Sequence, residues 1–182
     1  MVATLYTELD NDFFERLANI KLLVCDVDGV FSDGRIYLGN DGEELKAFHT
    51  RDGYGVKALV SHGVTVAVIT GRRSSIVENR MKALNVAHII QGEENKSDAL
   101  ASLMKSLGLS ADEVATVGDD MPDTGMFTHA AIKIAVADAH PFVTKQANWI
   151  TTLSGGFGAV REISDTILQA KGVTDGIFGA SV

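Results

Sequence analysis

Short apolar runs alternate with amphipathic segments from about residue 20 to residue 170. Runs of four to six apolar residues, bounded by Gly or polar residues, are typical of strands that are buried on both faces. The predicted strands are 22–25, 64–69, 87–90, 113–117, 132–136 and 148–150. The predicted helices are 11–20, 52–62, 75–84, 96–107 and 157–170, with a short one ending near His129. This alternation predicts an α/β fold, a doubly wound parallel sheet with helices on both faces.

Residues 33–48 interrupt the alternation. Two short polar-apolar segments flank Gly39-Asn40-Asp41-Gly42, which predicts a protruding β-hairpin. The chain is expected to form one domain over residues 1–172, followed by a flexible tail over 173–182. That tail contains Gly together with Val173, Ile177, Phe178 and Val182, which are expected to be exposed unless something binds them.

Composition limits the class of protein. The 182 residues are 46% apolar with a net charge of −8, so nucleic acid is a disfavoured partner. No run of about 18 apolar residues is present, and the acidic first twenty residues lack the apolar core of a secretory signal. The single cysteine, Cys25, lies in a predicted buried strand and is expected to be a packing residue. These features predict a cytoplasmic protein without a membrane anchor.

Polar residues follow four predicted strands, at or near the point where each strand ends. Asp26 and Asp28 follow the first strand, Thr70-Gly71-Arg72 the second, and Gly118-Asp119-Asp120 a later one, while Lys96 begins a helix. Each motif alone is equally compatible with a turn, a helix cap or a surface charge. Because parallel strands present their carboxyl ends at one edge, we expect the four motifs to meet there.

Such a set of residues suits phosphoryl transfer. We expect Asp26 to attack phosphorus and Asp28 to act as general acid and base. Mg²⁺ prefers oxygen ligands, and Asp26, Asp119 and the backbone carbonyl of Asp28 are the predicted ones. Thr70 is expected to bind phosphoryl oxygens, and Lys96 to offset the negative charge of Asp26 and phosphate.

The order Asp-x-Asp-Gly, Thr-Gly-Arg, Lys, Gly-Asp-Asp-x-x-Asp resembles the four motifs of the haloacid dehalogenase superfamily of phosphatases, over residues 22–123. The resemblance implies a Rossmann-like fold, an aspartyl-phosphate intermediate and dependence on Mg²⁺. It implies the same roles for Asp26, Asp28, Thr70, Lys96 and Asp119. It also implies that Asp120 and Asp123 do not bind the metal themselves but hold the metal ligands in place.

A closer resemblance covers about residues 20–171. Segments 26–34, 51–55, 136–141 and 155–162 are similar to the family of 3-deoxy-D-manno-octulosonate 8-phosphate phosphatases. These enzymes act in lipopolysaccharide inner-core precursor synthesis, so the resemblance implies a sugar-acid phosphate as substrate. The implied substrate-binding residues are Gly71, Arg72 and Arg80, with Arg51 a weaker candidate. The connections between the motifs leave no room for an inserted cap domain, so the active site is expected to be open. The resemblance implies a homo-oligomer, a tetramer in which the hairpins assemble and a neighbouring chain covers the site.

Three alternatives remain open at this point. The first is the same chemistry on a sialic-acid-type nonulosonate 9-phosphate, since the two families look alike. The second is a receiver-like regulatory domain, which also carries a phosphorylated aspartate. The presence of Asp28 favours turnover over storage of the phosphoryl group. The third is a catalytically inactive interaction module, which the intact set of Asp26, Asp28, Thr70, Lys96 and Asp119 disfavours.

Overall fold

The structure is a computed structural model, and it describes residues 1–174. Its strands, in chain order, are β1 (Val2–Ala3), β2 (Glu8–Leu9), β3 (Leu22–Cys25), β4 (Tyr37–Leu38), β5 (Glu44–Leu45), β6 (Thr65–Thr70), β7 (His88–Gln91), β8 (Val114–Gly118), β9 (Ile132–Ala135) and β10 (Trp149–Ile150). Its helices are α1 (Asn11–Leu17), α2 (Thr50–Ser61), α3 (Ser75–Ala83), α4 (Lys96–Leu107), α5 (Thr124–Phe127), α6 (Pro141–Thr144) and α7 (Ala159–Ala170). Short 3₁₀ turns cover Ala111–Glu113 and Met121–Asp123.

Six strands form the central sheet, and every pair of neighbours is parallel. The order across the sheet is β10-β9-β8-β3-β6-β7. Because β3 lies between β8 and β6, the chain leaves it in one direction first and returns on its other side later. Its carboxyl end is therefore a topological switch point, where open α/β sheets bind ligands. The predicted doubly wound α/β fold is confirmed.

Both faces of β3 are buried, as the uninterrupted apolar run predicts. Leu23 and Cys25 belong to the larger core, which α1, α2, α3, α6 and α7 complete. Leu22 and Val24 point to the other face and join residues of α4 and α5 in a second core. Cys25 is fully shielded from solvent, and burial raises the pKa of its thiol far above the ordinary value. The expectation of a packing cysteine therefore agrees with the structure.

The hairpin predicted at 33–48 is present as the antiparallel β4–β5 ribbon. It projects from the connection between β3 and β6, whose remaining element is α2. The connection between α4 and β8 holds a single 3₁₀ turn. Within the described residues, neither connection contains an inserted domain that would cover the carboxyl edge of the sheet.

The structure departs from the sequence-based expectations at several places. The hydrophobic pattern does not predict the β1–β2 ribbon or α6, because these elements are too short to show a period. The last predicted helix begins at Ala159 rather than 157, because Gly158 adopts a left-handed φ of 114° at its N-cap. Val173 packs partly buried against the core, so the expectation that it is exposed is wrong. The rest of the predicted tail, with Ile177, Phe178 and Val182, lies outside the described residues.

Within residues 1–174, the structure contains no helix that is both long enough and apolar enough to cross a membrane.

Candidate active site

A cavity of about 570 Å³ opens at the carboxyl edge of β3, β6 and β8. It brings together residues from all four predicted motifs. The predicted site residues that line it are Asp26, Asp28, Thr70, Gly71, Arg72, Lys96, Asp119, Asp120 and Asp123. The four strand-end signals therefore converge on one place, as the parallel topology requires.

Asp26 and Lys96 form the floor of the cavity. Asp26 directly follows β3, and Lys96 is the first residue of α4; both are buried. The Lys96 Nζ donates hydrogen bonds to Asp26 Oδ1 at 2.6 Å and to Asp123 Oδ1 at 2.7 Å. Burial opposes the positive charge of Lys96, but Asp26 and Asp123 outweigh that cost, and its pKa is raised. The sequence leaves open a surface role for Lys96; in the structure it is a buried cation.

Three carboxylates, those of Asp26, Asp119 and Asp123, have oxygen atoms that all lie within 4.8 Å of one another. Burial is the main cause that raises the pKa of Asp26, and repulsion by Asp123 adds to it. The pKa of Asp119 is also raised, first by burial and then by repulsion from Asp123 and Asp26. Lys96 supplies one positive charge against three negative ones. The local excess of negative charge fits a divalent cation.

The oxygen atoms of this cluster differ in their partners. Both oxygens of Asp123 are occupied, since Oδ1 accepts from Lys96 and Oδ2 accepts from the backbone N–H groups of Asp119 and Asp120. By contrast, Asp119 Oδ1 is buried and has no hydrogen-bond partner within residues 1–174. An orphaned carboxylate oxygen among other carboxylates is what a hard cation requires. Asp119 therefore fits a metal ligand, and Asp123 fits a residue that holds the site together.

Asp120 differs from its neighbours because it is exposed. Its side chain caps the 3₁₀ turn at Met121–Asp123, where it accepts a hydrogen bond of 2.8 Å from the Met121 backbone N–H. Asp120 thus shapes the turn that carries Asp123 into the cluster.

Asp28 is placed at the cavity by a turn and not by the continuation of β3. Strand alternation predicts that Asp26 and Asp28 share one side of β3, but the strand ends at Cys25. Asp28 instead lies in a turn in which the N–H groups of Val30, Phe31 and Ser32 all point to Val27 O. Gly29 permits this turn, because its φ is 93° and a Cβ there would lie 2.1 Å from the Asp119 carboxylate. The Gly of Asp-x-Asp-Gly is thus required by space as well as by conformation.

The second motif supplies the side of the cavity. Thr70 is the last residue of β6 and is buried, whereas Gly71 and Arg72 beyond it are exposed. Arg72 is half exposed and pairs with Glu44 of the β4–β5 ribbon at 3.1 Å. The two other arginines predicted to bind substrate, Arg51 and Arg80, do not line this cavity within the described chain. Arg51 instead hydrogen-bonds the ring of His49.

Sequence reasoning missed several residues around the cavity. Glu93 and Glu94, from the loop before α4, line its rim. Lys46, which follows β5, donates a hydrogen bond of 2.5 Å from Nζ to Asp28 Oδ1. The segment Glu44-Leu45-Lys46 has charged residues on either side of a leucine, but nothing in the sequence shows that the hairpin folds toward Asp28 rather than away from it.

The described arrangement is that of a phosphoryl-transfer site on a haloacid dehalogenase-type fold, and the comparisons with known proteins agree. Residues 85–160 match the family of haloacid dehalogenase-like hydrolases. The chain is 45% identical to the 3-deoxy-D-manno-octulosonate 8-phosphate phosphatase KdsC of Yersinia pestis, over 100% of this chain and 97% of that protein. It is 44% identical to the KdsC protein of Escherichia coli K12, over 100% and 96%.

Solved structures give the same result. The crystal structure of the Yersinia pestis phosphatase superposes with a TM-score of 0.95, at 45% identity, covering 100% of this chain and 98% of that one. The Moraxella catarrhalis phosphatase superposes with a TM-score of 0.89 at 41% identity, over 92% and 96% of the two chains. That structure holds a magnesium ion, a phosphate ion and a KDO molecule.

The chain therefore belongs to the KdsC family of phosphatases within the haloacid dehalogenase-like hydrolases. It is a phosphomonoester hydrolase, and the cofactor of its family is Mg²⁺, which the Asp26–Asp119–Asp123 cluster fits. The resemblance noted in the sequence is thus confirmed.

Proposed function

We propose that this enzyme hydrolyses 3-deoxy-D-manno-octulosonate 8-phosphate to the free sugar acid and phosphate, with Mg²⁺, through an aspartyl phosphate on Asp26. The observation that carries the chemistry is the buried cluster of carboxylates around Asp26, in which Lys96 pairs with Asp26 and Asp119 Oδ1 has no hydrogen-bond partner among the described residues. The eight-carbon substrate is supported by relatives more than 40% identical over the whole chain.

In the first step the Asp26 carboxylate attacks phosphorus, and the bond from phosphorus to the sugar oxygen breaks. Asp28 gives its proton to that leaving oxygen. In the second step Asp28 takes a proton from water, the water oxygen attacks phosphorus, and the bond to Asp26 breaks to release phosphate. A single residue can act in both directions because the two steps have opposite proton demands.

Asp26, Asp119 and the carbonyl oxygen of Asp28 would hold the metal, which when bound neutralises charge on the phosphoryl oxygens. Thr70 and the Gly71 backbone bind those oxygens from the side of β6, and Lys96 keeps Asp26 from repelling them. Arg72 is the arginine that this cavity offers to the sugar carboxylate, through a planar fork suited to it. Arg51 and Arg80 have no assigned contact with substrate within one protomer.

We further propose a cytoplasmic homo-oligomer, most simply a tetramer, that acts in lipopolysaccharide inner-core precursor synthesis. The outer surface of the β4–β5 ribbon supports assembly, because Tyr37 is 52% exposed, Leu38 73% and Leu45 63%. Apolar residues grouped on a projecting ribbon favour contact with another chain. Light scattering should give a mass of several chains, and Leu38→Lys together with Leu45→Lys should lower it. An unchanged monomer mass for both proteins would contradict the assembly.

The substrate is tested with a panel of phosphate esters, with and without Mg²⁺. The panel should hold the eight-carbon sugar-acid 8-phosphate, a nonulosonate 9-phosphate, and neutral sugar phosphates of similar length. The expected result is Mg²⁺-dependent phosphate release with the highest kcat/KM for the eight-carbon acid. A higher kcat/KM for the nine-carbon acid would transfer the proposal to that substrate. Stable labelling of Asp26 without release of phosphate would favour a receiver-like role instead.

A further inference from the structure

The inner side of the β4–β5 ribbon carries a buried lysine that contacts the proposed acid/base residue. The side chain of Lys46 has no exposed surface, although its backbone neighbour Leu45 is 63% exposed. Its Nζ lies 2.5 Å from Asp28 Oδ1, and the Asp28 side chain is 19% exposed. A residue on a projecting ribbon is therefore folded back against Asp28, which lines the cavity.

A second charge on the same ribbon supports this geometry. Glu44 belongs to β5 and lies two residues before Lys46, and the two charged side chains approach each other whereas Leu45 between them is exposed. Glu44 is 3.7 Å from Lys46 Nζ and 3.1 Å from Arg72 of the second motif. The ribbon therefore has two different surfaces, one apolar and exposed, and one charged and bound to the loops of the first two motifs.

Two exposed lysines of the same structure form a contrast with Lys46. Lys21 and Lys82 also pair with carboxylates at 2.6 Å, but their side chains are 61% and 66% exposed. Such surface pairs contribute little, because water screens both charges. Lys46 is shielded from water, so its charge depends on Asp28 and Glu44 for compensation, and the position of its ammonium is tied to theirs.

We propose that Lys46 is a positioning residue, which fixes the carboxyl group of Asp28 so that Asp28 can reach the leaving oxygen and the attacking water. The proposal rests on the acid/base role of Asp28 in the proposed function. Lys46 hydrogen-bonds Asp28, and Asp28 rather than Lys46 lines the cavity, so the action of Lys46 is assigned through Asp28. A displacement of a catalytic group by about 1 Å lowers the rate by up to about 10²-fold. The ribbon would thereby contribute to catalysis as well as to assembly.

The test is a double-mutant cycle between the two residues. Lys46→Met keeps most of the length of the side chain and removes its charge and donor. Lys46→Arg keeps both. Lys82→Met is the matched control, because it also breaks a Lys–carboxylate pair of 2.6 Å, but on an exposed helix surface. These variants are compared with Asp28→Asn and with Asp28→Asn combined with Lys46→Met.

We expect Lys46→Met to lower kcat on the preferred sugar phosphate by about 10- to 100-fold with little change in KM, and Lys46→Arg to retain more activity. In the Asp28→Asn background, Lys46→Met should cost no further activity, since the residue through which it acts is gone. On p-nitrophenyl phosphate, the initial burst of nitrophenolate should be nearly normal, because that leaving group needs no proton. Mg²⁺ affinity by calorimetry should not change.

Other outcomes overturn the proposal. A further loss in the Asp28→Asn background would mean that Lys46 acts on the substrate directly. An Lys46→Met enzyme as active as Lys82→Met would mean that the buried pair is structural only. Circular dichroism checks the fold, and Lys46→Gln gives the same cycle if Lys46→Met does not fold. If wild type releases no phosphate from any ester in the panel, the proposed function fails and the role of Lys46 fails with it. An active wild type with a fully active Lys46→Met overturns the role of Lys46 alone.

Discussion

Two groups of buried acidic residues in this molecule differ in how far the protein's own donors and cations pair their carboxylate oxygens. At the carboxyl edge of the sheet, the ammonium of Lys96 pairs with Asp26 and Asp123, and the neighbouring Asp119 Oδ1 has no hydrogen-bond partner among residues 1–174. On α7, Glu162 is fully buried but accepts hydrogen bonds from the Thr152 and Leu153 backbone and from the Thr152 hydroxyl. In the first cluster the described protein groups leave a carboxylate oxygen unpaired, whereas both oxygens of Glu162 are paired.

The same contrast holds for the neighbouring acid of α7. Asp165 is buried and accepts from Arg161 at 2.7 Å and from the Tyr6 hydroxyl at 2.7 Å, which ties the N-terminal segment to the helix. Burial alone therefore does not mark a functional acid. What separates the two clusters is whether the protein itself supplies partners for each charged oxygen. This distinction leads to predictions that differ in kind for the two clusters.

The largest expected effect is on Asp26. Asp26→Asn replaces the attacking carboxylate with an amide, which is a poor nucleophile and a weaker ligand for a cation. Turnover should be almost abolished, while the protein stays folded because Lys96 keeps its contact with Asp123. Phosphate release and circular dichroism check the two halves of this prediction. Release at the wild-type rate would rule out Asp26 as the nucleophile.

Asp28→Asn should have the next largest effect. General acid–base catalysis contributes about 10²–10⁴-fold, so turnover should fall by at least that factor if both steps use Asp28. Binding of Mg²⁺ should persist, because the ligand expected from this residue is its backbone carbonyl. Calorimetry with Mg²⁺ and steady-state kinetics measure the two properties. Near-normal turnover would mean that another group transfers the proton.

The complete cluster predicts loss of stability instead. Glu162→Ala would leave the buried donors of Thr152 and Leu153 without an acceptor. Each unsatisfied buried group costs about 1–3 kcal/mol, so the free energy of unfolding in urea should fall by at least that amount. The kcat of the folded enzyme should change far less than in Asp28→Asn. A large loss of kcat at unchanged stability would remove the distinction between the clusters.

Asp52 gives the smallest effect, and it appears as a pH dependence. It is buried, and its Oδ1 accepts a hydrogen bond from the Arg161 backbone N–H. Burial raises the pKa of Asp52 to about 6. A raised native pKa means that the folded state binds the proton more tightly, so stability is present at low pH and is lost as pH rises from about 4 through 6.

Unfolding of Asp52→Asn, compared with wild type across this range in saturating Mg²⁺, checks the sign. Between about pH 4 and 6, the free energy of unfolding should fall more steeply with rising pH for wild type than for Asp52→Asn. Above about pH 7 the two curves should run parallel. Asp112→Asn is the control, because it removes the same charge from an exposed position. Identical pH profiles for wild type and Asp52→Asn would show that burial of Asp52 has no energetic consequence.

Much of the fold and the site can be predicted from the sequence for a definite physical reason. A strand buried on both faces must be apolar throughout, so Leu22–Cys25 is recognisable as a strand without knowledge of its neighbours. A parallel sheet then gathers its carboxyl ends, and this topology predicts that Asp26, Thr70, Lys96 and Asp119 lie together, as they do in the cavity. Local pattern and general topology are sufficient for these residues.

Other features of the site depend on how turns and the hairpin are oriented, which no local sequence pattern predicts. Asp28 lies in the cavity because a turn folds it there, not because it continues the strand. The direction in which the β4–β5 ribbon folds decides whether Lys46 meets Asp28 or water. Arg80 belongs to a substrate-binding motif by resemblance, yet the described cavity does not include it. Two-residue strands such as β1 and β2 are too short to show alternation.

The proposed mechanism requires that the phosphoryl group passes through a covalent intermediate on Asp26. It is tested most directly by rapid quench of the enzyme with Mg²⁺ and the eight-carbon sugar-acid phosphate, followed by borohydride. Borohydride reduces an aspartyl phosphate to homoserine, which mass spectrometry locates in the chain. We expect homoserine at position 26 of the wild-type enzyme, and none in Asp26→Asn. Normal phosphate release with no homoserine at position 26 would contradict it.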